Sequence, residues 1–283
     1  MLPEQVLSWL VQNGFGAVKG SQPVGGGCIN AGTVLTTGSG RTFFLKTNHQ
    51  APADMFEREA QGLQALAVEG GPRLPVPYLY GENYLLLEDL APAPRRVDYW
   101  PEFGRRLAAL HGHTSDRFGF PQDNYIGSTP QPNIRSADGY EFFADRRLLY
   151  MAGLARQAGL LSQEQVRQVE RLASRLPELV PEQPASLIHG DLWSGNAITD
   201  SAGFPAIIDP AAHYGWAEAE LAMTALFGSF PQVFYWSYEG ARPLEPGYRE
   251  RFPIYNLYHL LNHLVLFGSG YLGDVLRILD GFR

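Results

Sequence analysis

The sequence predicts an α+β fold in two lobes, a small N-terminal β-sheet lobe with a helix and a larger, mainly helical C-terminal lobe. Three observations carry this expectation. Strand-like segments punctuated by glycines crowd the first part of the chain, the stretch Leu90-Ala91-Pro92-Ala93-Pro94 has no regular period, and helical periodicity dominates beyond it. The lobes are accordingly placed at residues 1–90 and 91–283. A composition of 45% hydrophobic and 18% charged residues is that of a folded chain able to build a sizeable core.

Residues 3–13 read as a short helix, since Pro3 suits a first turn, Val6, Leu7, Leu10 and Val11 share one side, and Gly14 can end it. From 22 to 47, short segments are separated by Gly25-Gly26-Gly27 and Gly38-Ser39-Gly40 and close with Thr42-Phe43-Phe44-Leu45-Lys46, a pattern that predicts two strands joined by turns. A helix is expected at 54–68, opened by Asp54 with Glu57 three residues later, and a strand at 84–87. In the second lobe, helices are expected near 100–113, 140–158, 162–176, 217–228 and 253–267, the third beginning with Ser162 and Gln165 at capping-box spacing. The stretch 118–139 is long, irregular and rich in Gly, Pro, Asn and Asp, a combination more often functional than idle.

Charge and cysteine usage narrow the function. With 22 Lys and Arg against 29 Asp and Glu, the net charge of −7 disfavours non-specific nucleic-acid binding. The single cysteine, Cys28, excludes an intramolecular disulfide framework and a Cys-rich zinc site, and points to a reducing compartment. Residues 1–14 lack the basic start of a secretory signal, so a cytoplasmic location is expected. Two charge-free stretches, 221–238 and 252–273, are interrupted by Gly228, Ser229 and Pro231 and by Asn256, His259, Asn262 and His263. They read as buried core helices, not membrane spans.

The chemistry concentrates in Ser186-Leu187-Ile188-His189-Gly190-Asp191-Leu192-Trp193-Ser194-Gly195-Asn196 and in Ala206-Ile207-Ile208-Asp209-Pro210. Asp191 and Asn196 are five apart and Asp209 follows thirteen later, the spacing with which kinase-like enzymes hold a catalytic Asp, a metal-binding Asn and a metal-binding Asp. A substrate hydroxyl needs an acceptor for its proton, and Mg²⁺ beside nucleotide phosphates needs hard oxygen ligands. A lysine at the end of a buried strand needs a negative partner, and Lys46 finds one in Glu59, which shares a helix face with Phe56, Leu63 and Leu66 while Glu57 faces solvent. Gly25, Gly26, Gly27 and Cys28 form a loop whose amides could approach phosphate, and no Gly-Lys-Ser/Thr sequence of a Walker-type loop is present. Glu88-Asp89-Leu90 follows a buried strand at the lobe boundary, where hinge backbone groups could bind an adenine edge. His111 reads as a satisfied helix-end histidine. His259 and His263 are read as core hydrogen-bonding residues, because no third ligand accompanies their i, i+4 pair. His213, four residues after Asp209, is placed near a substrate hydroxyl, and Trp193 and Trp216 are candidates for stacking on a sugar face.

Together these segments resemble the fructosamine kinase (ketosamine 3-kinase) family, within the aminoglycoside phosphotransferase-like group of protein-kinase-like folds. The resemblance spans nearly the whole chain. Its most specific parts are His189–Asn196, the run Asp123-Asn124-Tyr125-Ile126-Gly127-Ser128-Thr129-Pro130-Gln131-Pro132-Asn133, Gly25–Ile29, and Glu220-Leu221-Ala222-Met223 before Leu226-Phe227-Gly228. It implies ATP-dependent phosphorylation of the 3-hydroxyl of ketosamines, with Asp191 as base, Asn196 and Asp209 on Mg²⁺, Lys46 with Glu59 on nucleotide phosphates, and Glu88-Asp89-Leu90 as hinge. Asp123, Asn124 and Gln131 are then expected to meet the substrate, since the run that carries them distinguishes this family from other small-molecule kinases of the fold. The chain departs from the family's pattern at Trp216, where His is usual, and at Tyr140, where Trp is usual. The alternatives are a kinase of the same fold acting on an aminoglycoside or another hydroxylated amine, and a non-enzymatic nucleotide-binding module. Oxidation of Cys28 would join two molecules, a redox-dependent homodimer, or attach a small thiol.

Overall fold

The computed structural model describes residues 2–25 and 29–282. Helix α1 (Glu4–Gln12) lies against an antiparallel sheet of β1 (Val18–Val24), β2 (Ala31–Thr37), β3 (Thr42–Thr47), β4 (Pro77–Gly81) and β5 (Tyr84–Glu88), in the order β1-β2-β3-β5-β4. Side chains alternate along a strand, and β3 uses both faces. Phe43 and Leu45 enter a core with Val6 and Leu10 of α1, whereas Phe44 and Lys46 face a cleft on the other side. The segment expected to hold two strands therefore supplies three, and β4 is a further addition. Both unforeseen strands are polar or half-exposed, so they lack the apolar run that marks β3 and β5.

Helix α2 (Met55–Leu66) buries Phe56, Ala60, Leu63 and Leu66 in the main core. Asp54 precedes it but makes no capping bond, because its carboxylate takes the Arg58 guanidinium and the Tyr125 hydroxyl instead. Beyond the connection come α3 (Tyr99–His111), β6 (Thr114–Ser115), the hairpin of β7 (Asn124–Ile126) and β8 (Thr129–Gln131), and α4 (Gly139–Phe143). A π-helical turn, Ala144–Leu149, joins α4 to α5 (Tyr150–Gln157). Then follow α6 (Gln163–Ser174), α7 (Leu176–Leu179), β9 (Ala185–Ile188), β10 (Ala197–Thr199), β11 (Pro205–Ile207) and β12 (His213–Gly215). Strands β12, β9 and β6 form one small sheet, and β10 pairs with β11.

The helical layer ends with α8 (Ala217–Leu226), α9 (Gln232–Ala241), α10 (Tyr248–Phe267) and α11 (Leu272–Gly281). The first charge-free stretch is thus two helices broken at residues 227–231, where Gly228 takes a φ of 77°. The second fills most of α10, which starts at Tyr248 and runs through Pro253, and continues through a 3₁₀ turn at Ser269–Tyr271 to the start of α11. No helix among the described residues is long and apolar enough to cross a membrane.

Candidate active site

A cleft of about 910 Å³ opens between the sheet and the helical part, within the size range of small-molecule sites. Lys46, buried on β3, donates to Glu59 Oε1 at 2.5 Å and also to Asp209 Oδ1, so one ammonium ties the sheet, α2 and the segment after β11. Burial alone would push this ammonium toward neutrality, but the two carboxylates outweigh it and its pKa is raised. Burial raises Glu59 as well, against the pull of Lys46.

Strand β9 delivers the turn His189-Gly190-Asp191 to the cleft floor. Gly190 has a φ of 83°, and a Cβ there would stand 2.3 Å from the Ala211 carbonyl oxygen, so only glycine fits. The Ala211 N–H donates to the His189 carbonyl at 2.9 Å, which locks this turn to the segment after Asp209. His189 itself is neutral in a fixed tautomer, since Nε2–H donates to the Ile208 carbonyl at 2.8 Å and Nδ1 accepts the Asp191 N–H at 3.2 Å. Asn196 donates its amide protons to the Asp191 carbonyl at 2.8 Å and to Asp191 Oδ2 at 3.3 Å, leaving its own oxygen as the group it can offer a cation. Burial raises the Asp191 carboxyl well above the usual range, aided by the charges of Asp209 and Glu220 and opposed by the Asn196 bond. Asp209 adopts a φ of 60°, a left-handed conformation that Asp and Asn tolerate better than other side chains.

Glu220 stands in the Glu220-Leu221-Ala222-Met223 motif of the sequence, and the geometry gives it a task. From α8 its Oε1 accepts the Gly190 N–H at 2.7 Å, and its Oε2 accepts the His189 N–H at 2.9 Å and His111 Nε2–H at 3.0 Å. The other nitrogen of His111 accepts the Tyr238 hydroxyl at 2.7 Å, so a buried chain of bonds stands behind the Asp191 turn. Burial would raise Glu220, but the His111 bond and the surrounding donors outweigh it and hold it ionised. The available signal is the pair of carboxylates, Glu218 and Glu220, in the mainly apolar α8, each of which needs buried donors to be tolerated.

The remaining predicted site residues divide sharply. Gly25, Glu88, Asp89, Leu90, Asn124 and Trp193 line the cleft with Lys46, Glu59, Asp191, Asn196 and Asp209. Glu88 has neither side chain nor N–H free for a hinge contact, because both its carboxylate oxygens accept from Arg73 Nη2 at 2.5 Å and its N–H donates to the Val76 carbonyl at 2.8 Å. Asp123 and Gln131, expected to meet the substrate, do not line the cleft. Asp123 is exposed and its carboxylate accepts the Asn133 N–H at 2.7 Å, pinning the hairpin base. Gln131 is 0% exposed, donates to Asn124 Oδ1 and the Ala211 carbonyl, and accepts the Tyr258 hydroxyl, so it has no group free for a ligand. Asn124 lines the cleft, yet its amide donates to the Ala212 carbonyl at 2.9 Å and its oxygen accepts from both Gln131 and Asn133.

His213 and Trp216 do not line the cleft either. They border a separate cavity of about 20 Å³, room for one water and not for a sugar. Trp216 packs edge-on against Tyr140 with ring centroids 5.5 Å apart, so the two rings are neighbours outside the cleft. His259 borders the same cavity, while His263 lines the cleft between Phe227 and Tyr271. Gly26, Gly27 and Cys28, assigned to the nucleotide loop and to redox pairing, lie outside the described residues.

Among the described residues no group of three His, Cys, Asp or Glu side chains could hold a metal ion. Asn196 and Asp209 nevertheless present two hard oxygen donors at one end of the cleft. That donor set suits Mg²⁺, which binds through few protein ligands and completes its shell with water and phosphate oxygens.

Known proteins resemble this chain in sequence and fold. A chloroplastic protein-ribulosamine 3-kinase of Arabidopsis thaliana is 38% identical over 293 residues, covering 100% of this chain and 88% of that protein. A protein of Synechocystis named a probable ketoamine kinase is 43% identical over 259 residues, 90% of this chain and 87% of the other. A solved Thermobifida fusca protein with a provisional fructosamine-3-kinase name superimposes with a TM-score of 0.88 at 31% identity, covering 99% and 98% of the two chains. An aminoglycoside phosphotransferase solved with AMP-PNP and hygromycin B shares the fold alone, with a TM-score of 0.62 at 17% identity, covering 98% and 96%. The model of the fructosamine kinase family matches residues 3–282, and the chain, a two-lobe protein-kinase-like phosphotransferase in fold, belongs to that family.

Proposed function

We propose that the protein is an ATP-dependent kinase that phosphorylates the sugar 3-hydroxyl of ketosamines, such as fructosamines or ribulosamines, free or carried on protein amines. The observation that carries this reading is the convergence in one cleft of the Lys46, Glu59 and Asp209 ion pairs with the Asp191 and Asn196 pair. The γ-phosphoryl group passes from ATP to the sugar oxygen, the bond to the β-phosphate oxygen breaks, ADP leaves, and the hydroxyl proton goes to Asp191. Burial strengthens Asp191 as a base, and the Glu220 bonds to the turn hold its carboxylate in place before substrate arrives. Lys46 supplies positive charge for the nucleotide phosphates while Glu59 fixes its direction, and the backbone of Asp89 and Leu90 borders the space for adenine. Asn196 and Asp209 would hold Mg²⁺, whose chemistry is to neutralise charge on the phosphates. Trp193, half-buried on the same wall as Asp191, offers a ring to the sugar.

The test is a substrate panel of fructosamines, ribulosamines and aminoglycosides with Mg-ATP, the product bond being assigned by phosphorus and proton NMR. A ketosamine 3-phosphate is expected. Exclusive turnover of an aminoglycoside, or ATP binding with no transfer to any acceptor, would refute the assignment.

A further inference from the structure

The β7–β8 hairpin touches the start of α2, the segment after Asp209, Ile29 and α10. At its base, the Asn124 amide donates to the Ala212 carbonyl at 2.9 Å and the Gln131 amide to the Ala211 carbonyl at 3.1 Å, both just after Asp209. Midway, the Tyr125 hydroxyl donates to Asp54 Oδ1 at 2.6 Å, and Asp54 Oδ2 in turn takes Arg58 Nε at 2.9 Å within α2. Arg58 also reaches Gln122, ahead of β7. At the tip, a Cβ on Gly127 would stand 2.8 Å from Ile29, at the end of the glycine segment, and 3.0 Å from Leu266 of α10. Helix α2 packs on the same junction, since a Cβ on Gly62 would meet Ala212 at 3.4 Å and Pro210 at 3.5 Å.

We propose that this hairpin is a clasp that holds α2, and with it Glu59, in register with the Asp209 segment, and that Tyr125 is the positioning residue that closes it. Glu59 and Asp209 share the Lys46 ammonium, so a shift of α2 relative to residues 209–212 separates the two carboxylates that fix it. The apolar contact of Gly62 limits approach but not sliding along the helix axis. The Tyr125 bond to a carboxylate is directional and charge-assisted, which supplies the missing constraint. Tyr125 thereby acts on the nucleotide half of the cleft through α2, although its own side chain lies on the wall shared with the acceptor.

The effect on catalysis rests on the kinase reading, whereas the effect on nucleotide binding does not, so the experiment is a double-mutant cycle read by calorimetry with Mg²⁺ and AMP-PNP. Tyr125→Phe and Asp54→Ala should each weaken AMP-PNP at least about fivefold, the low end of coupling between linked sites, and the double variant should be no worse than either alone. The KM for a ketosamine should stay within about twofold, because uniform substrate binding is untouched. Gln122→Ala, an exposed change on the Arg58 branch, should weaken AMP-PNP in the same direction by a smaller factor. Additive effects overturn the proposal. So does a rise in ketosamine KM with AMP-PNP affinity intact, which would make Tyr125 a substrate contact. A lower melting temperature with unchanged AMP-PNP affinity would reduce the hairpin to a structural part. A wild type that binds AMP-PNP yet phosphorylates no ketosamine would refute the kinase reading while leaving the cycle interpretable.

Discussion

Two polar segments meet beside the cleft and use their side chains in opposite ways. The turn from His189 to Asn196 commits its backbone and its histidine to internal bonds and leaves the Asp191 carboxylate and the Asn196 oxygen at the cavity. The hairpin from Asp123 to Asn133 does the reverse, committing Asn124, Gln131 and Asn133 to carbonyls and to one another. Arg147 is part of that interior, donating to the Pro132 carbonyl and to Asn133 Oδ1 at 2.7 Å, and burial pushes its pKa down to about 10. A family-specific cluster of amides is therefore no measure of ligand contact. What separates the two segments is which hydrogen-bonding groups remain free after the fold has taken its share.

The strongest way to break this comparison is to change one residue on the open side. Asp191→Asn keeps the shape of the turn and removes the proton acceptor. It should lower kcat by about two or more orders of magnitude, the scale of a lost general base, with little change in nucleotide affinity. Steady-state kinetics with the preferred ketosamine checks it, and turnover close to wild type would take Asp191 out of that role.

The matching change on the closed side is Gln131→Ala. It strands the Tyr258 hydroxyl, leaves the Ala211 carbonyl with the His213 ring alone, and opens a void at a fully buried position. Stability should drop by about 3 kcal/mol, from the unsatisfied groups and the void together, while KM for the sugar amine holds. Urea unfolding and kinetics on the same preparation decide the matter. A raised sugar KM at normal stability would return Gln131 to the substrate.

What could be read from the sequence follows the range of the forces involved. The pairing of Lys46 with Glu59 follows from a strand pattern and a helix face, and the spacing of Asp191, Asn196 and Asp209 lies within one short motif. The roles of Glu220 and Gln131 depend on partners 30 and 80 residues away, at Gly190 and Ala211, and nothing local distinguishes a buried amide bonded to a distant carbonyl from one awaiting a ligand. The same holds for Asp54, where the local cap signal lost to Tyr125, 71 residues on. Strands β1 and β4 were missed because half-exposed sheet edges carry no apolar run.

Acid should act on the support of both segments. His111 stands behind the turn, and His213 and His259 border the small cavity beside Gly190; burial lowers the pKa of all three, with His259 near 3. The unfolded chain protonates these rings near pH 6.5 and the folded chain does not, so it binds more protons when unfolded and stability falls as pH falls below that value. Each ring should contribute about 1.4 kcal/mol per pH unit until its folded pKa is reached. Glu220, lowered in the fold, adds its loss only as pH drops below the ordinary glutamate range. Melting temperature followed from pH 7 to 5 should decline steeply, and a flat profile would show that these rings are charged in the fold.

The smallest expected effect is a control remote from both segments. Helix α6 begins with a capping box in which the Gln165 N–H donates to Ser162 Oγ at 3.3 Å and the Ser162 N–H donates to Gln165 Oε1 at 2.7 Å. Ser162 is exposed, Gln165 is half-buried and the two are three apart, so the motif is complete within one turn and is readable without knowledge of the tertiary fold. Ser162→Ala removes one of the two bonds and should cost about 1 kcal/mol, the usual loss for an N-cap serine. Helix α6 packs on the π-helical turn and on α5, away from the cleft wall, so kcat, ketosamine KM and AMP-PNP affinity should all match wild type. Comparing the urea midpoint of this variant with that of Gln131→Ala separates a loss of stability at a local element from one at the junction beside Asp209. If Ser162→Ala also weakened AMP-PNP, global loosening rather than registry at the hairpin would explain nucleotide effects elsewhere, and the contrast between the two polar segments would lose its basis.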